Sequence, residues 1–252
     1  MARRFTGNDP DGITLIQNLE FWENQEGTIV RNTGPAVQFL SVSGTIFVVK
    51  GTITSAQDNG FEADSFSHDL TIAIRESGVV RGADNGIFLD GSLHVVNNFG
   101  IVRGLGDAGI AMLDGINNII RNEGEITAEN VGVDMDGDNA FVRNNGRIDS
   151  NGIGIRMESD GGSIINTDTI VADGRAIDFR AGSDDTSLIN VGRIITRDGD
   201  SAVNGHGGDD NIDIRGVISG DVRLGDGEDV FIYSGGGFVR GRVDGGFDDD
   251  RL

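Results

Sequence analysis

A motif that returns about every two dozen residues limits what this chain can fold into more than any other feature. Its clearest copy, RNEGEITAENVGVDMDGDNAFV, runs from Arg121 to Val142 and centres on Asn122, Gly124 and Ile126. Aligned on the glycine, the same place recurs at Gly27, Gly51, Gly78, Gly100, Gly124, Gly146, Asp168, Gly192, Gly216 and Gly241, at intervals of 22 to 27 residues. A period in this range that carries strands and no helices means a solenoid.

Each repeat divides into three short apolar runs. The first follows the anchor, as in Gly51 to Ile53 and Gly146 to Ile148. The second alternates, as in Ile87-Phe88-Leu89, Val133-Asp134-Met135 and Ile177-Asp178-Phe179, and period two puts one face inside and one in water. The third, such as Leu93 to Val96 or Ile116 to Ile120, ends near an asparagine. Glycine or Asn-Gly interrupts every candidate crossover helix, so parallel strands can be joined only by coiling the chain. The expected fold is all-β, a right-handed parallel β-helix (β-solenoid) of about ten three-stranded turns. It forms a single domain over residues 1–252, with 1–11 as an extended lead-in. The long apolar run Ile13 to Trp22 reads as the first rung, with Phe21 and Trp22 closing the core.

Asn98, Asn122, Asn144, Asn166 and Asn190 fall two places before the anchor, with Glu76 and Gln25 at the matching places. At the spacing of stacked strands, roughly 4.8 Å, their amides are expected to form a hydrogen-bonded ladder.

The chain has 41 acidic and 20 basic residues, a formal charge of −21, and no cysteine. That field attracts cations and disfavours nucleic acid and anionic membrane. No apolar run is long enough to span a bilayer, and Met1 to Asp11 lacks the apolar stretch of a secretory signal, so neither nucleic-acid binding nor membrane insertion is expected. Acids follow the second strand in successive repeats at Asp64, Asp90, Asp114, Asp136, Glu158 and Ser183-Asp184-Asp185. A solenoid would line them along one edge, hydrated or collecting cations.

Near the end this corner changes. Gly205-His206-Gly207-Gly208-Asp209-Asp210-Asn211-Ile212, Leu224-Gly225-Asp226-Gly227-Glu228-Asp229-Val230-Phe231 and Gly245-Gly246-Phe247-Asp248-Asp249-Asp250-Arg251-Leu252 fit the nonapeptide G-G-x-G-x-D-x-U-x, each with one glycine replaced, at His206, Leu224 and Asp248. Glycines let carbonyls turn towards a hard cation, aspartate supplies charged oxygen, and the apolar residue anchors the turn. Residues 205–252 thus resemble the RTX (haemolysin-type) calcium-binding repeats. The resemblance implies Ca2+ between loops of successive coils, with Asp210, Asp229 and Asp250 as ligands and Asp209, Asp226 and Asp248 assisting, at weak, extracellular-range affinity. The longer repeat resembles the β-helical passengers of bacterial autotransporters and adhesins. Together the two resemblances imply a secreted or cell-surface protein, exported by a signal-peptide-independent (type I) route.

The expected function is a non-enzymatic structural or adhesive element, stabilised by calcium, with head-to-tail self-association and a surface glycan or protein receptor as its partners. The alternative is a polysaccharide-acting β-helix enzyme, a lyase, epimerase or hydrolase on an acidic glycan. Arg81, Arg103, Arg121 and Arg143 read as a solvated ladder rather than a lyase base. His68, His94 and His206 lie in different turns without a recognisable motif. The repeat lengths leave no room for the large insertions that usually build a cleft.

Overall fold

The structure, a computed structural model, describes residues 3–6, 11–180, 185–199 and 201–252. Among these there is no helix, and the strands form three all-parallel sheets of 10, 11 and 11 strands that wrap into one solenoid. One coil reads Val79–Gly82, Ile87–Asp90, Val95–Asn98, and each strand pairs with its counterpart in the neighbouring coils, as Val79 with Ile101, Ile87 with Ile110 and Val95 with Ile119. The three are called here the anchor, middle and asparagine sheets, after the runs that supply them.

Register stacks like on like. The anchor sheet carries a core column running Ile29, Ile53, Val80, Val102, Ile126, Ile148, Ile170, Ile194 and Ile218, every member fully buried. The asparagine sheet sends in a second column from Trp22 through Phe47, Ile72, Val96 and Ile120 to Phe231. β-Branched residues fit because their stiff side chains lock between identical neighbours above and below. Each buried aliphatic side chain contributes about 1.5–3 kcal/mol. In the early coils Phe39, Phe47 and Phe61 pack together in the core, with ring centroids 5.1 to 6.4 Å apart.

The N-terminal end is closed differently from the sequence-based expectation. Arg3–Thr6, part of the lead-in, is a strand of the asparagine sheet and pairs with Phe21–Glu26. The run Ile13 to Trp22 splits between the middle and asparagine sheets: Trp22 is buried, Phe21 is half exposed, and the Arg3 guanidinium lies 4.9 Å from the Trp22 ring centroid.

The anchor glycines are needed for close approach: a Cβ at Gly124 would run into the carbonyl of Gly100, one coil below. The last anchor is Gly237, not Gly241. Val217 pairs with Phe238, and Gly241 stacks on Gly220 at a different corner, because this coil takes a shorter path than the preceding ones. The asparagine ladder runs from Asn98 through Asn122, Asn144 and Asn166 to Asn190, each Nδ2 donating to the next Oδ1 at 2.7 to 2.8 Å with every member fully buried. Glu76 and Gln25 are not in it. Asn98 pairs with Ile74, Ile74 with Val49 and Val49 with Asn24, since four positions rather than two separate Ile74 from Gly78, and Glu76 falls in that longer turn.

Replacing Asn144 by alanine removes its donation to Asn166 and leaves the Asn166 Oδ1 and the Asn122 amide short of partners. It should lower stability by about 2–4 kcal/mol in urea denaturation. Asn190→Ile, at the ladder's end beside Ile214, should cost less. A loss at Asn144 no larger than at an exposed site, about 0.5 kcal/mol, would remove the ladder as a structural element.

Candidate functional site

The three RTX-like loops stack at one corner between the middle and asparagine sheets. Their second motif position is held by His206, Gly225 and Gly246 at φ 73°, 121° and 107°, and their fourth by Gly208, Gly227 and Asp248 at 93°, 140° and 78°. Both positions are left-handed in all three copies, so His206 and Asp248 adopt the backbone that the missing glycines would have taken. Histidine and aspartate are among the residues that tolerate this region best. At Gly225 and Gly227 glycine is required twice over, since a Cβ would also meet the carbonyls of His206 and Gly208 in the preceding coil. The motif's apolar anchors, Ile212 and Phe231, are buried, whereas Leu252 is exposed.

The six candidate aspartates separate into two lines. Asp210, Asp229 and Asp250 form an inner column in which the Asp210 N–H donates to Asp229 Oδ1 (2.8 Å) and the Asp229 N–H to Asp250 Oδ1 (3.2 Å). Asp210 Oδ1 in turn accepts from the Thr186 N–H and hydroxyl, at 3.1 and 2.6 Å. Asp209, Asp226 and Asp248 lie outside on the exposed rim, where Asp209 Oδ1 accepts the Glu228 N–H at 2.9 Å.

In the inner column Asp210 and Asp229 are each 1 % exposed, and their Oδ2 atoms have no hydrogen-bond partner. Burial pushes the Asp210 carboxyl up to about 7, opposed by the Thr186 bonds and reinforced by Asp229 and Asp185. Burial also raises Asp229, with Asp250 and Asp209 adding to it. Two shielded carboxylate oxygens that lack donors are stabilised either by a proton or by a cation. The donor set is all oxygen, which suits a hard cation such as Ca2+, with Asp210 and Asp229 as the residues that would hold it. Among the described residues no three or more histidine, aspartate or glutamate side chains are grouped so that they could hold a metal ion.

The acidic edge expected further up is present with one slip. Asp136 stands opposite Glu158, but Asp90 pairs with Leu113, so Asp114 falls one place beyond, at φ 52°. The carboxylates still act on each other: Asp90 is raised by burial and then by Asp114 and Asp64, and Asp136 by burial and then by Glu158 and Asp114. Ser183 and Asp184 lie outside the described residues. The arginines do not form one ladder but two stacked pairs on different faces, Arg81 over Arg103 and Arg121 over Arg143.

Stacking also brings together residues that seemed unrelated along the chain. His206 reaches Asp178 at 3.1 Å, beside Arg175 and Asn204. A separation of 28 residues, about one coil, was the available signal. His94 is fully buried; its Nε2 lies 3.0 Å from the Asp90 carbonyl and its Nδ1 accepts the Leu70 N–H at 3.3 Å, which fits only the neutral Nε2–H tautomer. Burial lowers its pKa accordingly.

Comparison of the chain with protein-family models, curated proteins and solved structures returns no significant match. The fold by itself defines the class, a parallel β-solenoid repeat protein.

Asp210 sets a pH dependence. Its folded pKa, about 7, exceeds its unfolded value, so its stabilising contribution is complete below about pH 4 and is lost as pH rises through 7. Without calcium, melting temperature should fall between pH 5 and pH 8 by less in Asp210→Asn than in the wild type, because the amide cannot ionise. Equal slopes in thermal melts would show that Asp210 carries no such cost.

Proposed function

We propose that this chain is a non-enzymatic structural and adhesive β-solenoid of a bacterial secreted or cell-surface protein, and that calcium stiffens its C-terminal coils. The observation that carries the reading is the pair of buried Asp210 and Asp229 carboxylates, each with one oxygen unpartnered, beneath loops whose second and fourth positions are all left-handed. A fold that needed only a tight corner would be served better by neutral residues there. Two shielded negative charges are a liability that a divalent cation removes. The net charge of −21 concentrates cations around the molecule, and lining up like charges along an edge makes the solenoid's stiffness respond to them.

Export without an N-terminal signal, head-to-tail association of copies, and contact with a surface glycan or protein receptor belong to the same reading. The last coil leaves aromatic rings exposed at Tyr233, Phe238 and Phe247, and calcium would relieve repulsion between acidic neighbours.

A few millimolar calcium should stabilise the protein by about 1–2 kcal/mol if the affinity lies in the 0.1–1 mM range. Thermal melts should show a rise of several degrees with calcium, little with magnesium, and none with calcium in Asp210→Asn/Asp229→Asn. An equal response to both ions, or a calcium shift retained by the double variant, would overturn the metal assignment. Sedimentation across the same calcium range tests association: a monomer throughout removes it.

A further inference from the structure

The outer face of the middle sheet changes character part-way along the solenoid. In register, its outward position passes from Gln38, Glu62, Phe88 and Ala111 to Asp134, Arg156, Asp178, Asn204, Arg223 and Asp244. The fold accepts phenylalanine and alanine at this place, so coiling alone does not require the later run of polar groups. Those groups organise one another. Arg156 forks onto both oxygens of Asp134. One coil further, Asp178, only 2 % exposed, accepts on a single Oδ1 from Arg175 Nη1 (2.9 Å) and Asn204 Nδ2 (3.1 Å), with His206 Nε2 also at 3.1 Å. A buried carboxylate gathering three partners fixes their directions before any ligand arrives.

Over this floor run three cavities of about 230, 360 and 450 Å³. The first two share Glu158 and Arg180, and the last two share His206, so they form one trough. From Asp134 to Asp244 it crosses five coil-to-coil steps, about 24 Å at strand spacing. Phe247, 75 % exposed, lines its far end together with Gly225 and Gly246.

We propose that this trough binds a neutral glycan chain laid along the solenoid axis. Sugar hydroxyls both donate and accept, and a floor on which carboxylates alternate with guanidinium, amide and imidazole groups satisfies both roles. The exposed Phe247 ring offers a flat apolar surface to one face of a pyranose. Charge selects the ligand: six carboxylates against four guanidiniums line the trough, on a chain of net charge −21, which disfavours a polyanion. The proposal rests on the adhesive reading above and specifies where its receptor would sit and what chemistry that receptor has.

The test is affinity electrophoresis and calorimetry of the full chain, in calcium, against neutral polymers and oligomers of glucose, galactose and mannose, with polygalacturonate and alginate as acidic arms. At least one neutral polymer should retain the protein. Phe247→Ala and Arg223→Ala, both at exposed side chains, should each weaken binding roughly tenfold without moving the melting temperature. Failure of every neutral polymer, tighter retention by the polyanions, or unchanged binding in both variants would overturn the site. The calcium melts are read separately, so a calcium shift without glycan retention removes the trough and leaves the stiffening intact. Release of shortened sugars from a bound polymer would keep the trough and overturn the non-enzymatic reading.

Discussion

Everything in this molecule depends on the in-register hydrogen bonding of each coil to the next. Because paired strands are parallel and shift by a whole coil, a residue type repeated at the coil period meets itself above and below. Backbone bonds of about 1 kcal/mol net each, and buried aliphatic side chains of about 1.5–3 kcal/mol each, set that register. Repulsion between stacked carboxylates, about 1 kcal/mol in water and several-fold more where shielded, is too small to break it. The register wins, and electrostatics has to be accommodated locally.

The accommodation differs from edge to edge. On the middle edge Asp90 and Asp136 take up raised pKa values and remain beside their neighbours. On the anchor side Arg197 reaches across coils to both Asp149 and Asp173, at 2.6 and 2.7 Å, and Asp149 is held below the usual carboxylate range despite its burial. In the last coils backbone N–H groups supply donors to one oxygen of each inner aspartate and leave the other oxygen of Asp210 and Asp229 bare. The first solution leaves one buried oxygen without a partner, Asp90 Oδ1, whereas the third leaves two on successive coils, in aspartates that are themselves 1 % exposed, and the metal assignment rests on that pair.

Three strands per coil, the parallel sheets and the ladder Asn98 to Asn190 were legible in the sequence because each is a periodic feature, and period survives folding unchanged. Errors arose where the period breaks. Gln25 and Glu76 lie in corners where three and four positions, not two, separate the stacking residue from the glycine, and Gly241 lies in a shortened coil, so counting back from a glycine no longer identifies the residue that stacks. The nonapeptide composition was visible, but not that His206 and Asp248 would take the left-handed backbone of the glycines they replace. The Asp178–His206 constellation was hidden for a different reason: its members share no motif and become neighbours only when one coil is laid over the next.

From Asn98 to Gly192 the asparagine corner keeps one form, two residues between the ladder position and the next strand, while the other corners vary in length. Such a molecule has a natural unit of growth. Duplication of a stretch bounded by two ladder asparagines would insert a complete extra storey, already matched to its floor and ceiling, without disturbing those on either side. The fixed corner thus behaves as a genetic joint, and tandem copying can lengthen the rod while novelty accumulates at the other two edges.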